Sequence, residues 1–185
     1  MKNIAITGSF ASGKSFVINQ LKQMNYQTFS CDDFVKTLYL DIEVQNQIIQ
    51  EINGLEVFDK SKLAQIVYSD DQSRKNLEKI IHPMVRLGIK NFELKHMQEK
   101  LIFTEVPLLY ESGFDKYFSD VICIYCSEKN RYERAISRGL KNIEIFEKIK
   151  LIQMAQNEKI KLTKYVINSD KDTKNQIEEI LRKLL

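Results

Sequence analysis

The stretch Gly8-Ser9-Phe10-Ala11-Ser12-Gly13-Lys14-Ser15 spells G-x-x-x-x-G-K-[ST] directly after the apolar run Ile4-Ala5-Ile6. A chain with that pattern must pass from a first strand into a helix through a loop built to wrap phosphate. Gly8 and Gly13 leave successive backbone N–H groups unobstructed for the β-phosphate of a nucleotide, and the following helix presents its N-terminal partial positive charge. Lys14 is expected to bridge the β- and γ-phosphates, and the Ser15 hydroxyl to ligate Mg²⁺. The nucleotide-binding set is therefore Gly8, Ser9, Phe10, Ala11, Ser12, Gly13, Lys14, Ser15 and Phe16. Val17, Ile18, Leu21 and Met24 follow on one face of a helix that starts inside the motif.

Composition adds bounds rather than identity. At 185 residues the chain is long enough for one domain with insertions and a substantial core. Its 28 Lys+Arg against 25 Asp+Glu leave a net charge of +3, which does not argue for a nucleic-acid partner. There is no twenty-residue apolar span and no charged-then-apolar leader, so a soluble, cytoplasmic protein with no membrane association is expected. Cys31, Cys123 and Cys126 do not make a disulfide framework. Cys123 and Cys126 lie three apart in a strand-like run, where side chains diverge, so core cysteines are expected rather than a zinc or redox pair.

Short β-type runs alternate with helical patterns. Strands are predicted at about 3–7, 26–30, 100–106, 120–126 and 164–168, several of them apolar at successive positions, as suits parallel strands covered on both faces. The fold class is α/β: a three-layer phosphate-loop fold with a five-stranded parallel sheet, helices on both faces and a ligand site at the carboxyl ends of the strands. The expected organisation is a core from 1–34, 99–133 and 160–185, a helical insertion at about 35–98 and a helical lid at about 134–159. Within the insertion Ser61 is predicted to cap a helix through Tyr68, and Pro83 to sit in the first turn of another running to about His96. Ile177, Ile180, Leu181 and Leu184 predict a closing amphipathic helix.

Carboxylates follow the next two strands. Asp32 and Asp33 come after the second and Glu105 ends the third, positions that open onto the crevice of the phosphate loop in a parallel sheet. Glu105 is a candidate Mg²⁺ ligand, with a surface strand end as its alternative. Asp32 is a candidate to orient or deprotonate an attacking hydroxyl, and helix capping is the alternative, stronger for Asp33. Arg131, Arg134 and Arg138 then recur at i, i+3 and i+7 after Ser127, a plausible cap. Guanidinium forks stabilise the spread charge of a transferring phosphoryl group. Arg134 and Arg138 are expected to form the lid, whereas Arg131 is expected at the exposed, solvated start of the helix.

Together these pieces resemble the dephospho-coenzyme A kinase family nearly end to end. The likeness rests on Gly8 to Ser15, on Ser30-Cys31-Asp32 with Tyr39 downstream, and on His82-Pro83-Met84-Val85-Arg86. It continues through Glu105-Val106-Pro107-Leu108-Leu109-Tyr110-Glu111, Arg134 with Arg138, Gln153-Met154 and Glu158-Lys159. Ser30 stands in place of the first Asp of the family's Asp-Ala-Asp, Lys164-Tyr165 in place of Ala-Asp, and Lys171 in place of a frequent Gly. The resemblance implies ATP and dephospho-coenzyme A as substrates, Mg²⁺, and a monomer or weak homo-oligomer. It implies catalytic roles for Lys14, Asp32, Arg134 and Arg138, acceptor contacts from Asp32, His82, Arg86, Pro107 and Leu108, and metal ligation by Ser15 and Glu105. A kinase acting on another small metabolite is the nearer alternative. A GTP-hydrolysing switch is the other, and it lacks the expected Asn-Lys-x-Asp guanine reader.

Overall fold

In the computed structural model, which describes residues 1–140 and 143–185, two compact units emerge: Met1–Ser30 with Glu93–Leu185, and Cys31–Phe92. Residues 141 and 142, inside the expected lid span, lie outside the described residues.

The first unit carries the sheet. Strands β1 (Lys2–Thr7), β2 (Gln27–Ser30), β3 (Leu101–Glu105), β4 (Asp120–Tyr125) and β5 (Tyr165–Asn168) pair in the order β2-β3-β1-β4-β5, every pair parallel. Helices α1 (Lys14–Gln23), α6 (Glu128–Ser137), α7 (Ile143–Ile152), α8 (Gln156–Lys161) and α9 (Thr173–Leu184) belong to this unit. The second unit holds α2 (Cys31–Leu38), α3 (Ile42–Glu51), α4 (Lys60–Ser69) and most of α5 (Asp71–Lys95).

Register does the functional work. Ile6 of β1 pairs with Glu105 of β3, and Ser30 of β2 pairs with the same Glu105, so three strands end level. On one face, Ile4, Ile6, Phe103, Ile124 and Ile167 close a core with Val17, Ile18 and Leu21 of α1 and Ile177, Ile180 and Leu184 of α9. That apolar burial supplies the main favourable term holding the strand ends in place. The other face is buried too, and its polar members are satisfied: Thr104 donates to Asn3 Oδ1 at 3.0 Å, and Asn3 donates to Glu93 at 2.9 Å. The expected closing helix is α9, with Ile177, Ile180, Leu181 and Leu184 all buried. All three cysteines are buried and none is in a disulfide; burial pushes Cys123 up to about 11 and raises Cys126 too, so neither of these two is a poised nucleophile.

Three local expectations are corrected in the second unit. The α4 helix is capped by Asp59, whose carboxylate accepts from Lys62 N at 2.6 Å, and Ser61 lies inside the helix. Asp59 is the stronger cap because a carboxylate also answers the helix dipole. Pro83 is interior to α5, which starts instead at Asp71, where Asp70 accepts from Ser73 N at 2.8 Å. An interior proline deletes one hydrogen bond, but the buried stripe Ile81, Val85, Gly88 and Ile89 runs on past it, and that packing sustains the helix. Asp33 does not cap a helix at Phe34: Asp32 and Asp33 already sit in the first turn of α2. There acidic side chains complement the dipole directly.

Gly88 has a steric reason. A Cβ there would meet the Phe34 ring at 2.7–2.8 Å, so the close approach of α2 to α5 uses the missing side chain. Gly88→Ala is expected to lower stability by about 1–3 kcal/mol through overpacking. Chemical denaturation checks it, since a gain of about 1 kcal/mol from helix propensity alone would show that the ring yields freely.

Candidate active site

Backbone conformation builds the phosphate loop. Gly8 adopts φ +148°, and a Cβ on it would press into the carbonyl of Ile124 in β4. Gly13 adopts φ +101°, with a hypothetical Cβ 3.0 Å from Ser169 Oγ and 3.3 Å from Arg134 Nη1. Ala11 takes the left-handed region at φ 59°, which a side chain tolerates only where its surroundings hold it. Gly13 is the N-cap of α1 and brings no side-chain cap of its own to the helix N-terminus.

Lys14 is buried, and its ammonium donates to the carbonyls of Gly8 at 2.9 Å and Ser9 at 3.1 Å, spanning the loop. Ser12 Oγ is buried with no hydrogen-bond partner among the described residues. The Ser12 carbonyl accepts from Ser169 Oγ at 2.6 Å and from Arg134 at 3.3 Å. Ser15 and Phe16 lie in the exposed first turn of α1. Glu105 is only 7% exposed, which removes the surface-strand-end alternative. A carboxylate in that position costs desolvation unless something answers it.

The three arginines part company. Ser127 does cap α6, accepting from Asn130 N at 3.3 Å. Arg131, expected exposed, is 4% exposed; its Nε donates to the Phe10 carbonyl at 3.0 Å, and its guanidinium lies 5.3 Å from the centre of the Phe146 ring. The reason is helical phase: residue 131 falls on the inward face with buried Ala135, where an arginine can stack and still reach a carbonyl. Arg134 grips the loop after β5, donating to Ser169 Oγ at 2.7 Å and the Ser169 carbonyl at 2.9 Å, with Asp170 at 3.7 Å. Arg138 is the exposed C-cap of α6. Arg134 and Arg138 line a cavity of about 590 Å³ together with Gly13, Phe16, Lys171 and Thr173.

Sequence reasoning missed Ser169 and left Gln153 and Lys159, marked only by the family resemblance, without a role. Ser169 ties the fifth strand's end to the loop, and the strand-end rule that found Glu105 applies to it equally. Gln153 accepts from Phe10 N at 2.7 Å, a contact no local pattern signals. Fully buried Lys159 donates to the Pro107 carbonyl at 2.9 Å and pairs with Glu111 at 2.9 Å, while Thr7 reaches the same carbonyl at 3.4 Å. Pro107 is thereby pinned just beyond Glu105, and Leu108 next to it is exposed.

Asp32, His82 and Arg86 belong to the second unit. Asp32 is exposed in the first turn of α2, and Asp33 pairs with Lys36 at 2.7 Å. His82 and Arg86, one turn apart on α5, line an open hollow of about 450 Å³ with Lys75 and Lys79. Burial, with help from Arg86 and against Glu78, holds His82 below its ordinary value, so it is neutral at pH 7. Among the described residues no group of three or more His, Cys, Asp or Glu could hold a metal, and no helix is long and apolar enough to cross a membrane.

The dephospho-CoA kinase family model matches residues 2–175. A dephospho-CoA kinase from Rickettsia typhi is 41% identical over 187 residues, covering 100% of this chain and 98% of the relative. A crystal structure of a Thermus thermophilus protein aligns with a TM-score of 0.84 at 27% identity, covering 100% of this chain and 98% of that one. The structure of a dephospho-CoA kinase from Campylobacter jejuni aligns with a TM-score of 0.69 at 23% identity over 98% and 96% of the two chains, a likeness of fold.

The unequal settings of the arginines predict unequal costs. Arg134→Lys loses the two-pronged grip on Ser169 and is expected to cost about 1–3 kcal/mol, while Arg138→Lys leaves stability within about 0.5 kcal/mol. Thermal unfolding of both variants checks this; equal, small changes would mean that the Ser169 grip contributes nothing.

Proposed function

The chain belongs to the dephospho-CoA kinase family and carries out the ATP-dependent phosphorylation of dephospho-coenzyme A in coenzyme A biosynthesis; on that premise we propose which residues perform it. ATP lies with its phosphates in the loop Gly8–Ser15 and its base toward the cavity beside Gly13, Phe16 and Lys171. The observation that carries this reading is the loop itself: two glycines in conformations no other residue adopts cheaply, a helix whose N-cap is Gly13, and the Lys14 ammonium directly over the Gly8 and Ser9 carbonyls. The unpartnered Ser12 Oγ fits a phosphate oxygen as acceptor.

Lys14 answers charge on the bridging and terminal phosphate oxygens, and Arg134 and Arg138 supply guanidinium forks at the edge of the same cavity. The transition state of phosphoryl transfer is loose, so placing these cations matters more than removing the acceptor's proton. Ser15 and Glu105, hard oxygen donors at the helix start and the β3 end, would hold Mg²⁺, an ion that takes one or two protein oxygens. When bound, Mg²⁺ supplies charge neutralisation on the phosphates.

Asp32 is the residue we assign to the acceptor ribose 3′-hydroxyl, accepting its hydrogen bond and taking its proton late. Ser30 replaces the partner acid of the family's Asp-Ala-Asp, so Asp32 does this alone. The helical stretch 35–98, with neutral His82 and cationic Arg86, takes the remainder of the acceptor together with Pro107 and Leu108, and 134–159 closes over the donor as a lid. Such closure excludes water that would otherwise take the phosphoryl group. We place the enzyme in the cytoplasm.

ADP release is expected to depend on dephospho-coenzyme A and not on adenosine nucleotides or shikimate, and release with any acceptor alike would contradict the assignment. Asp32→Asn is expected to lower kcat by about 10² or more with Asp33→Asn near wild type. The reverse order would move the role to Asp33.

A further inference from the structure

Phe10 occupies the middle of the phosphate loop, and both polar groups of its backbone are held from outside the loop. Its N–H donates to Gln153 Oε1 at 2.7 Å, and its carbonyl accepts from Arg131 Nε at 3.0 Å. The two holders lie at opposite ends of one stretch of chain: Arg131 is in α6, and Gln153 directly follows α7. The Phe10 ring adds a third tie, 6.3 Å from the ring of Phe146 in α7. Arg131 lies against that same ring from its other partner, so guanidinium, Phe146 and Phe10 form one packed set with Ala11 and Ala135 beneath it.

Three physical facts make this more than packing. A buried guanidinium is costly unless its donors are used, so Arg131 is in place to hold something specific. A hydrogen bond from a charged donor is roughly twice as strong as a neutral one. The carbonyl it holds belongs to the peptide shared with Ala11, whose left-handed φ of 59° needs outside support. Arg131 in α6 and Gln153 just after α7 therefore grip the loop at its strained point.

We propose that Arg131 and Gln153 form a two-sided clamp on Phe10 through which the α6–α7 segment sets the geometry of the phosphate loop, making both positioning residues for phosphoryl transfer. The inference rests on the reading that this loop takes the ATP phosphates. Neither side chain need touch a substrate.

Steady-state kinetics with ATP and dephospho-coenzyme A varied separately tests it, on wild type, Arg131→Met, Gln153→Leu, the double variant and Arg131→Lys, all well below their melting temperatures. Each single replacement is expected to lower kcat/KM for ATP by about tenfold or more, leaving KM for dephospho-coenzyme A unchanged. The double variant loses less than the product of the singles, because a loop released on one side is already loose. Arg131→Lys, which keeps a cation over Phe146 and a donor, regains most of the loss. ATP kinetics within about twofold of wild type in both singles, with only the melting temperature lowered, would make the pair merely structural and overturn the clamp. Full multiplication in the double variant would overturn it as well. Should Arg131→Met not fold, half-exposed Gln153 on its turn carries the test by itself. ATP binding by Gly13→Ala equal to that of wild type would instead sink the underlying reading of the loop.

Discussion

Everything in the active unit depends on how closely the turn after β1 packs against its neighbours. At Gly8 the backbone lies so near the Ile124 carbonyl that no Cβ fits, and at Gly13 a Cβ would come within 3.0 Å of Ser169 and 3.3 Å of Arg134. These contacts bring the ends of β1, β4 and β5 to a single loop. They fix where α1 begins and hence where the N–H groups of its first turn are. A rigid cradle for charge costs nothing to reorganise when the transition state forms, which is why such sites stabilise charge so much better than water does.

Around that cradle the protein spends buried charge carefully. Lys14, Arg131 and Lys159 are all nearly sealed from solvent, and each donates to backbone carbonyls: Gly8 and Ser9, Phe10, and Pro107. Lys159 adds the Glu111 carboxylate, which also accepts from Met154 N at 2.8 Å. Cations are thus used as braces for the loops that follow β1 and β3. Arg138, left exposed at the cavity edge, is differently placed and suited to meeting a ligand.

Much of this was legible in the residues alone. The parallel strands follow from apolar runs at successive positions, and the loop from its glycines, because both are dictated within a few neighbouring positions, whereas the strand order is set by tertiary pairing. The errors came where distant packing decides. Pro83 looked like a helix start since proline favours the first turn, but the apolar stripe from Ile81 to Ile89 carries α5 through it. Arg131 looked solvated because arginine usually is, and only Phe10 and Phe146, far away in sequence, give it a buried partner. Gln153 stood out only as part of the Gln153-Met154 resemblance and without a role, since its contact with Phe10 is 143 positions away.

The central claim is that the loop Gly8–Ser15 is where phosphoryl transfer occurs, and Lys14 is the side chain most tightly bound to that claim. The most direct measurement is turnover of dephospho-coenzyme A by Lys14→Ala, with folding verified by circular dichroism and thermal unfolding. A folded variant slowed by about 10³-fold or more is the expected result, because the cation that answers the transferring group's charge is gone. Near-wild-type turnover in a folded Lys14→Ala would contradict it, and the site would have to be sought elsewhere on the chain.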